Sequence, residues 1–361
     1  MGQVRVLLLV FLTLVFLMGV TSAPAVAAPP STAAVNDAAL LTPRPARKLS
    51  AYNLFKDGAA QVPNDGVYPY DLATPLFTDY AHKYRFVYVP EGKAAAYDDR
   101  ESFVFPVGSV LVKTFAYPAD FREPEENIRL IETRLLIRGD KGWAAWAYVW
   151  NADMTDADLK VAGKVLPVSW VDEAGDQRDI QYVVPNRNQC KGCHVMGDEF
   201  SPIGPKARNL NFTYDYDGGA ENQLAFWANH GLLDGAPAPA DAPSVPRYDD
   251  PAAPLEARAR AYLDINCAHC HRAEGPGSTS GLFLTWWEQN KTAWGYLKRP
   301  VAAGRGSGGF MFDIDPGKPD QSILIHRLKS TDPGVMMPEV GRTTVHTEGV
   351  ELLREWIKTI E

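Results

Sequence analysis

The chain has 361 residues, 46% of them hydrophobic and 11% aromatic, which is material for two or three domains with proper cores. Its formal charge of −8 lacks the basic footprint that nucleic acid requires, so a nucleic-acid partner is excluded first. It holds four cysteines, and every one of them belongs to one of two short motifs described below.

The amino terminus sets the compartment. Arg5 is followed by the apolar run Val6 to Val20 and then by small residues ending in Ala25-Val26-Ala27. That is the charged, apolar and small-residue order of a secretory signal peptide, with cleavage expected after Ala27. The run is shorter than the ~20 apolar residues of a membrane span. The mature protein is therefore expected to be periplasmic, with no membrane span after signal cleavage. Loss of Arg5 takes the charge from −8 to −9. Residues 28–48, rich in Ala, Pro, Thr and Ser, read as a disordered leader.

Residues 49–182 carry strand signals. Tyr84 to Val89, Ser102 to Phe105, Ser109 to Tyr117 and Ile128 to Arg138 are short β-branched and aromatic runs separated by Pro, Gly and polar turns. Trp146, Tyr148 and Trp150 alternate with small residues, a two-residue period with one aromatic face. Val165 to Val171 and Asp179 to Val184 flank a hairpin turn at Asp172 to Asp176. The expectation is an all-β domain, an antiparallel sandwich or barrel.

Residues 183–235 contain Cys190-Lys191-Gly192-Cys193-His194, and residues 249–361 contain Cys267-Ala268-His269-Cys270-His271. A Cys-x-x-Cys-His run reads as a c-type haem attachment site. Two thiols reach the two vinyl groups on one porphyrin edge, and the adjacent His supplies the proximal ligand to iron. His194 and His271 are the expected proximal ligands. Structural disulfides and zinc are the competing readings. Pairs three residues apart followed by His are poor staples, and the gap from Cys193 to Cys267 far exceeds zinc-ribbon spacing. Two covalently attached haem c groups are expected.

Glu221 to His230 reads as a helix stopped by Gly231, and residues 236–248 as a Pro/Ala linker between the two haem modules. Leu255 to Ile265 is a helix leading into Cys267. A last helix capped by Thr347 places Val350, Leu353, Trp356, Ile357 and Ile360 on one side. The loop before it carries Met336-Met337-Pro338. Met337 matches the Met-Pro of class I cytochromes c and is the expected distal ligand of the second iron, with Met336 as the alternative. For the first iron the sixth ligand stays open among His230, Lys206, a tyrosine, a donor from elsewhere (Met154, His82 or Met311), or none.

With these residues in view, the mature chain resembles an uncharacterised family of bacterial di-haem c-type cytochromes. The likeness rests on Phe105-Pro106-Val107-Gly108-Ser109-Val110, Glu132-Thr133-Arg134-Leu135-Leu136, Val149-Trp150-Asn151, Val184 to Cys190, and Pro202-Ile203-Gly204-Pro205 with Leu210-Asn211. The second haem site completes it. The expected fold class is multidomain: the β-rich domain, then two mainly α cytochrome c-like haem modules. The expected function is electron transfer, alone or as a subunit of an oxidoreductase, with another cytochrome or a periplasmic or membrane oxidoreductase as redox partner. A di-haem peroxidase with an open first haem, or a haem-bearing glycan- or protein-binding module, are the alternatives.

Overall fold

The computed structural model describes residues 33–301 and 303–361, so the signal peptide expected at residues 1–27 lies outside the described residues. Its centre is one antiparallel sheet whose six strands follow one another in space as in sequence. They are β1 (Val67–Pro69), β2 (His82–Tyr88), β3 (Val110–Tyr117), β4 (Arg129–Gly139), β5 (Gly142–Trp150) and β6 (Ala157–Leu159). Alternation gives each strand two faces. On one face Phe86, Tyr88, Val112, Leu135, Tyr148 and Trp150 form a core closed by the chain before β1, through Leu40, Leu49, Tyr52 and Leu54. The stretch read as a leader thus joins this core from Leu40 onward, and Tyr88 Oη donates to Asp37 at 2.7 Å.

The opposite face is covered at its two ends by different partners. The hairpin β7 (Lys164–Val171) and β8 (Gln177–Val184) packs Val168, Trp170 and Tyr182 against Phe115, Ala147 and Val149. At the other end Val87 and Leu111 meet Leu224, Trp227, Leu232 and Ile265. Between those two clusters the face is left for the site described below.

The expectation of a β domain followed by two mainly α haem modules is corrected by this architecture. Residues 183–235 hold only the short helices α1 (Arg187–Cys193) and α2 (Gln223–Asn229), one further turn of helix (Ala207–Leu210), and small two-stranded ladders. One of those ladders pairs Leu233–Asp234 with Ala95–Ala96 of the front of the chain. The physical reason is where the apolar residues go. Trp227 is fully buried with its ring against Tyr70, Phe103 and Phe105, so this segment shares the sheet's core and has none of its own. Pro202, Gly204 and Pro205 also interrupt any longer helix. Nor do the strands close into a barrel or pair as a sandwich: they form an open sheet with a separate hairpin laid on one face.

Residues 249–361 are likewise not mainly helical. Three helices, α3 (Leu255–Asn266), α4 (Ile323–Lys329) and α5 (Thr347–Thr359), share a core with Leu284, Trp294 and Ile314, which come from the long irregular stretch between α3 and α4. Helices α3 and α5 cross closely at Gly349, where a Cβ would lie 2.4 Å from the Tyr262 hydroxyl. Residues 236–248 are tied to the body: Asn211 donates to the carbonyls of Pro239 and Ala242, and Val245 is buried. No helix of the described residues is long and apolar enough to cross a membrane.

Candidate functional site

Each Cys-x-x-Cys-His run is set at a helix end. Helix α1 starts at a capping box, in which Asn186 accepts from the Gln189 amide and Gln189 reaches back to the Asn186 amide. The helical turn puts Cys190 and Cys193 three residues apart on one side. His194 terminates the helix. At the second run Cys267 terminates α3, and amides of Cys270 and His271 return to the Cys267 carbonyl at 3.1 and 2.9 Å. The chain then folds tightly back over the motif. At Gly275 a Cβ would lie 2.3 Å from the Cys270 carbonyl oxygen, so only glycine fits there.

The two histidines are prepared alike. His194 Nδ1 lies 2.9 Å from the Ser201 carbonyl, which can only accept, so Nδ1 carries the proton and Nε2 keeps its lone pair. His271 Nδ1 lies 3.3 Å from Ser280 Oγ, whose own proton goes to the Gly277 carbonyl at 2.6 Å; the serine oxygen therefore accepts from the ring. Burial lowers His194 to about 3 and His271 to about 4, so both rings are neutral at physiological pH. A neutral imidazole oriented through its far nitrogen is the state that binds metal. His194 also stacks on Phe200, with ring centres 5.1 Å apart.

Both runs open on one cavity of about 500 Å³ between the sheet, α1 and the carboxyl-terminal helices. This is cofactor-sized. Cys190, Cys193, His194, Cys267 and His269 line it, together with Met336, Tyr262, Tyr182 and Trp146. Cys270 and His271 are not among the lining residues; the His271 ring faces Gly277 and Ser280. The motifs meet at Cys193, where the Cys270 thiol and then the His269 ring lower the Cys193 pKa against the burial that raises it. All four thiols are free.

Of the methionine pair, Met336 is buried and lines the cavity, whereas Met337, the expected ligand, is not among the lining residues. Its backbone serves the loop: the Met337 amide donates to Arg327, and its carbonyl accepts from Arg342 at 2.8 Å. The buried Arg342 also donates to the carbonyls of Thr344 and Ser330, and so shapes the whole turn. Asp79, on the loop before β2, fastens this turn to the sheet side by accepting from the amides and hydroxyls of Thr343 and Thr344.

Of the donors weighed for the first iron, only the tyrosine alternative is met on the cavity wall, by Tyr70, Tyr182 and Tyr262; the others lie elsewhere. His230 is exposed and bonded to its own helix through the Phe226 carbonyl. Lys206 faces Glu101 at 3.7 Å, Met154 packs on the far face of the sheet, His82 meets the Phe121 ring edge to face, and Met311 is exposed. Sequence reasoning missed the residues that the sheet brings in. Arg85, Lys113 and Arg134 line the same cavity. The available signal was a basic residue inside each of three otherwise strand-like runs. It also missed His269, whose buried Nδ1 has no partner.

The residues fit the group that the motifs imply. The first run offers two thiols and an oriented neutral imidazole to a cofactor-sized cavity, the second reaches it through Cys267 and His269 with the oriented His271 behind them, and unsatisfied polar atoms of His269, Arg85 and Arg134 line it. Among the described residues no cluster of three or more His, Cys, Asp or Glu is arranged to hold a bare metal ion. Comparison with protein-family models, curated proteins and solved structures finds no match to this chain.

Proposed function

We propose that the chain is an exported di-haem c-type cytochrome that passes electrons to and from protein partners, alone or as the electron-transfer subunit of an oxidoreductase. The observation that carries this reading is the convergence of both Cys-x-x-Cys-His runs on one cavity, each with its histidine ring held through Nδ1. Cys190, Cys193 and His194 would hold one haem, and Cys267, Cys270 and His271 the other. Haem supplies a one-electron couple when bound; the protein sets its potential by ligand, burial and nearby charge. Ser201 and Ser280 orient the two imidazoles and raise their basicity. Met336 offers a thioether sulfur from the cavity wall, which favours the reduced state where it ligates. The Cys193 and Cys270 thiols interact, so the two attachment motifs are neighbours.

The resemblance to bacterial di-haem cytochromes supports the same reading through the motifs, and the charge of −8 suits docking on a basic face of a redox partner. The test is direct. Purified from a host with haem-attachment machinery and then denatured, the chain should keep a mass increment of two haems. Cys190→Ser/Cys193→Ser and Cys267→Ser/Cys270→Ser should each remove one. A colourless chain with free thiols overturns the proposal.

One observation favours a second reading, catalysis at the first iron: of the donors weighed for its sixth position, His230, Lys206, Met154, His82 and Met311 are all absent from the cavity wall and only tyrosines (Tyr70, Tyr182 and Tyr262) line it. Carbon monoxide binding together with turnover of hydrogen peroxide supports it; two low-spin spectra unchanged by either ligand refute it.

A further inference from the structure

Three basic side chains stand side by side on the cavity face of the sheet. Antiparallel pairing sets Arg85 of β2 opposite Lys113 of β3, and Lys113 opposite Arg134 of β4. Residues directly opposed in neighbouring strands have Cβ atoms about 4.5–5.5 Å apart, and like charges placed so repel. The row is therefore continuous and unfavourable by itself. All three residues line the cavity beside Cys190, Cys193 and His194.

The acids nearby answer it only in part. Arg85, 5% exposed, gives one end of its guanidinium to Asp71 and leaves the buried Nη2 without a partner. Arg134 donates to Glu132, and its buried Nε is unsatisfied. Asp79 is engaged with Thr343 and Thr344. Among the described residues Lys113 has no ion pair or hydrogen bond; its ammonium lies 5.0 Å from the centre of the Phe115 ring. Burial, then the positive neighbours Arg85, Lys83 and Arg134, push the Lys113 pKa well below its usual value. A row built only to support the sheet would carry its acids with it. This one presents unsatisfied donors to a cavity.

We propose that the row Arg85–Lys113–Arg134 is a carboxylate-binding site, completed by an anion that enters the cavity beside the first motif. Two sources offer that chemistry. One is a propionate of a haem held at Cys190 and Cys193, in which case the inference rests on the function proposed above. The other is a free organic carboxylate.

The experiment compares the full-length wild-type chain with Lys113→Met and Lys113→Arg. The denatured mass is read first. Optical redox titration then gives the potentials, and thermal melting is followed with and without succinate. With no anion bound, Lys113→Met removes an unpaired buried cation, so without succinate or haem it should melt no lower than wild type. If a propionate is the partner, Lys113→Met disfavours the reduced first haem about tenfold, a fall of about 59 mV for a one-electron couple. Lys113→Arg restores most of it, and succinate changes nothing. If a free carboxylate is the partner, succinate raises the melting temperature of wild type and Lys113→Arg but not of Lys113→Met, whose potentials match wild type when succinate is absent. A chain with two haems that shows neither effect overturns the proposal. A chain without haem sinks the cytochrome reading separately, and the succinate result alone then decides the site.

Discussion

Replacing Arg208 with methionine should destabilise the protein by about 3–5 kcal/mol, the cost of removing one partner from a buried ion pair. Arg208 and Asp264 are 1% and 3% exposed, and their contact is two-pronged, Nε to Oδ2 at 2.8 Å and Nη2 to Oδ1 at 3.0 Å. Arg208 also donates to the Arg100 carbonyl and lies 4.9 Å from the centre of the Trp287 ring. After Arg208→Met, Asp264 keeps the Trp286 amide at 2.9 Å but faces an apolar side chain with an uncompensated charge. Arg208→Met/Asp264→Leu removes that charge as well. It leaves mainly the Trp286 amide and the Arg100 carbonyl unsatisfied, about 1–3 kcal/mol each at most. The double variant should therefore be more stable than the sum of the two single ones. Urea unfolding followed by tryptophan fluorescence measures all four proteins. The loss should be nearly the same at low and high salt, because buried pairs are poorly screened. A single-variant cost below about 1 kcal/mol, or a coupling below about 0.5 kcal/mol, would place the pair among exposed, additive ones and refute the argument.

In the haem-loaded protein, Met336→Leu should abolish any sulfur-to-iron absorption band and Met337→Leu should keep it, because Met336 is the one on the cavity wall. Ser280→Ala removes the acceptor of His271 Nδ1 and should weaken iron ligation by His271 about tenfold, seen as a larger high-spin fraction. Asp79→Asn puts an amide N–H₂ among the Thr343 and Thr344 donors; it should cost about 3 kcal/mol and speed amide exchange at those two residues before α5. Burial lowers His346 to about 4 from 6.5, against the pull of Glu348 and with the push of Lys83. The unfolded chain takes up that proton first, so stability present above pH 6.5 is lost as pH falls toward 4. His346→Asn should flatten the stability profile in that window by up to about 1.4 kcal/mol per pH unit, and an unchanged slope would show that the ring is not held neutral.

The local structure was legible where periodicity is strong. Alternation around Tyr84–Val89, Ser109–Tyr117, Ile128–Arg138 and Trp146–Trp150 coincides with β2 to β5, and the turn at Asp172–Asp176 joins β7 to β8. Helix α3 runs one residue beyond Ile265, and α5 begins at Thr347, whose cap is the preceding His346. Ser102–Phe105 makes only isolated bridges, since Val104 pairs with Ala96 and Ser102 with Lys206. What sequence reasoning lost was partnership over long range. The apolar side of α2 looks the same whether it meets helices of its own module or the sheet, and Trp227 chooses the sheet. The motifs were readable as chemistry because their spacing is local. That Cys193 meets Cys270, and that Arg85, Lys113 and Arg134 fall in one row beside them, depends on strand register and on packing across more than seventy residues of intervening chain.

Ile265, two residues before Cys267, packs in the same cluster as Trp227 and Leu111. Whatever the two motifs carry, the interval between them is thus set by a wedge of side chains and by no tether. Thermal swinging of a linker cannot lengthen it, and a longer residue 236–248 segment would leave it alone. If both motifs carry haem, exchange between the two centres should accordingly proceed at one well-defined rate, insensitive to solvent viscosity, in contrast to proteins whose redox groups ride on hinged domains.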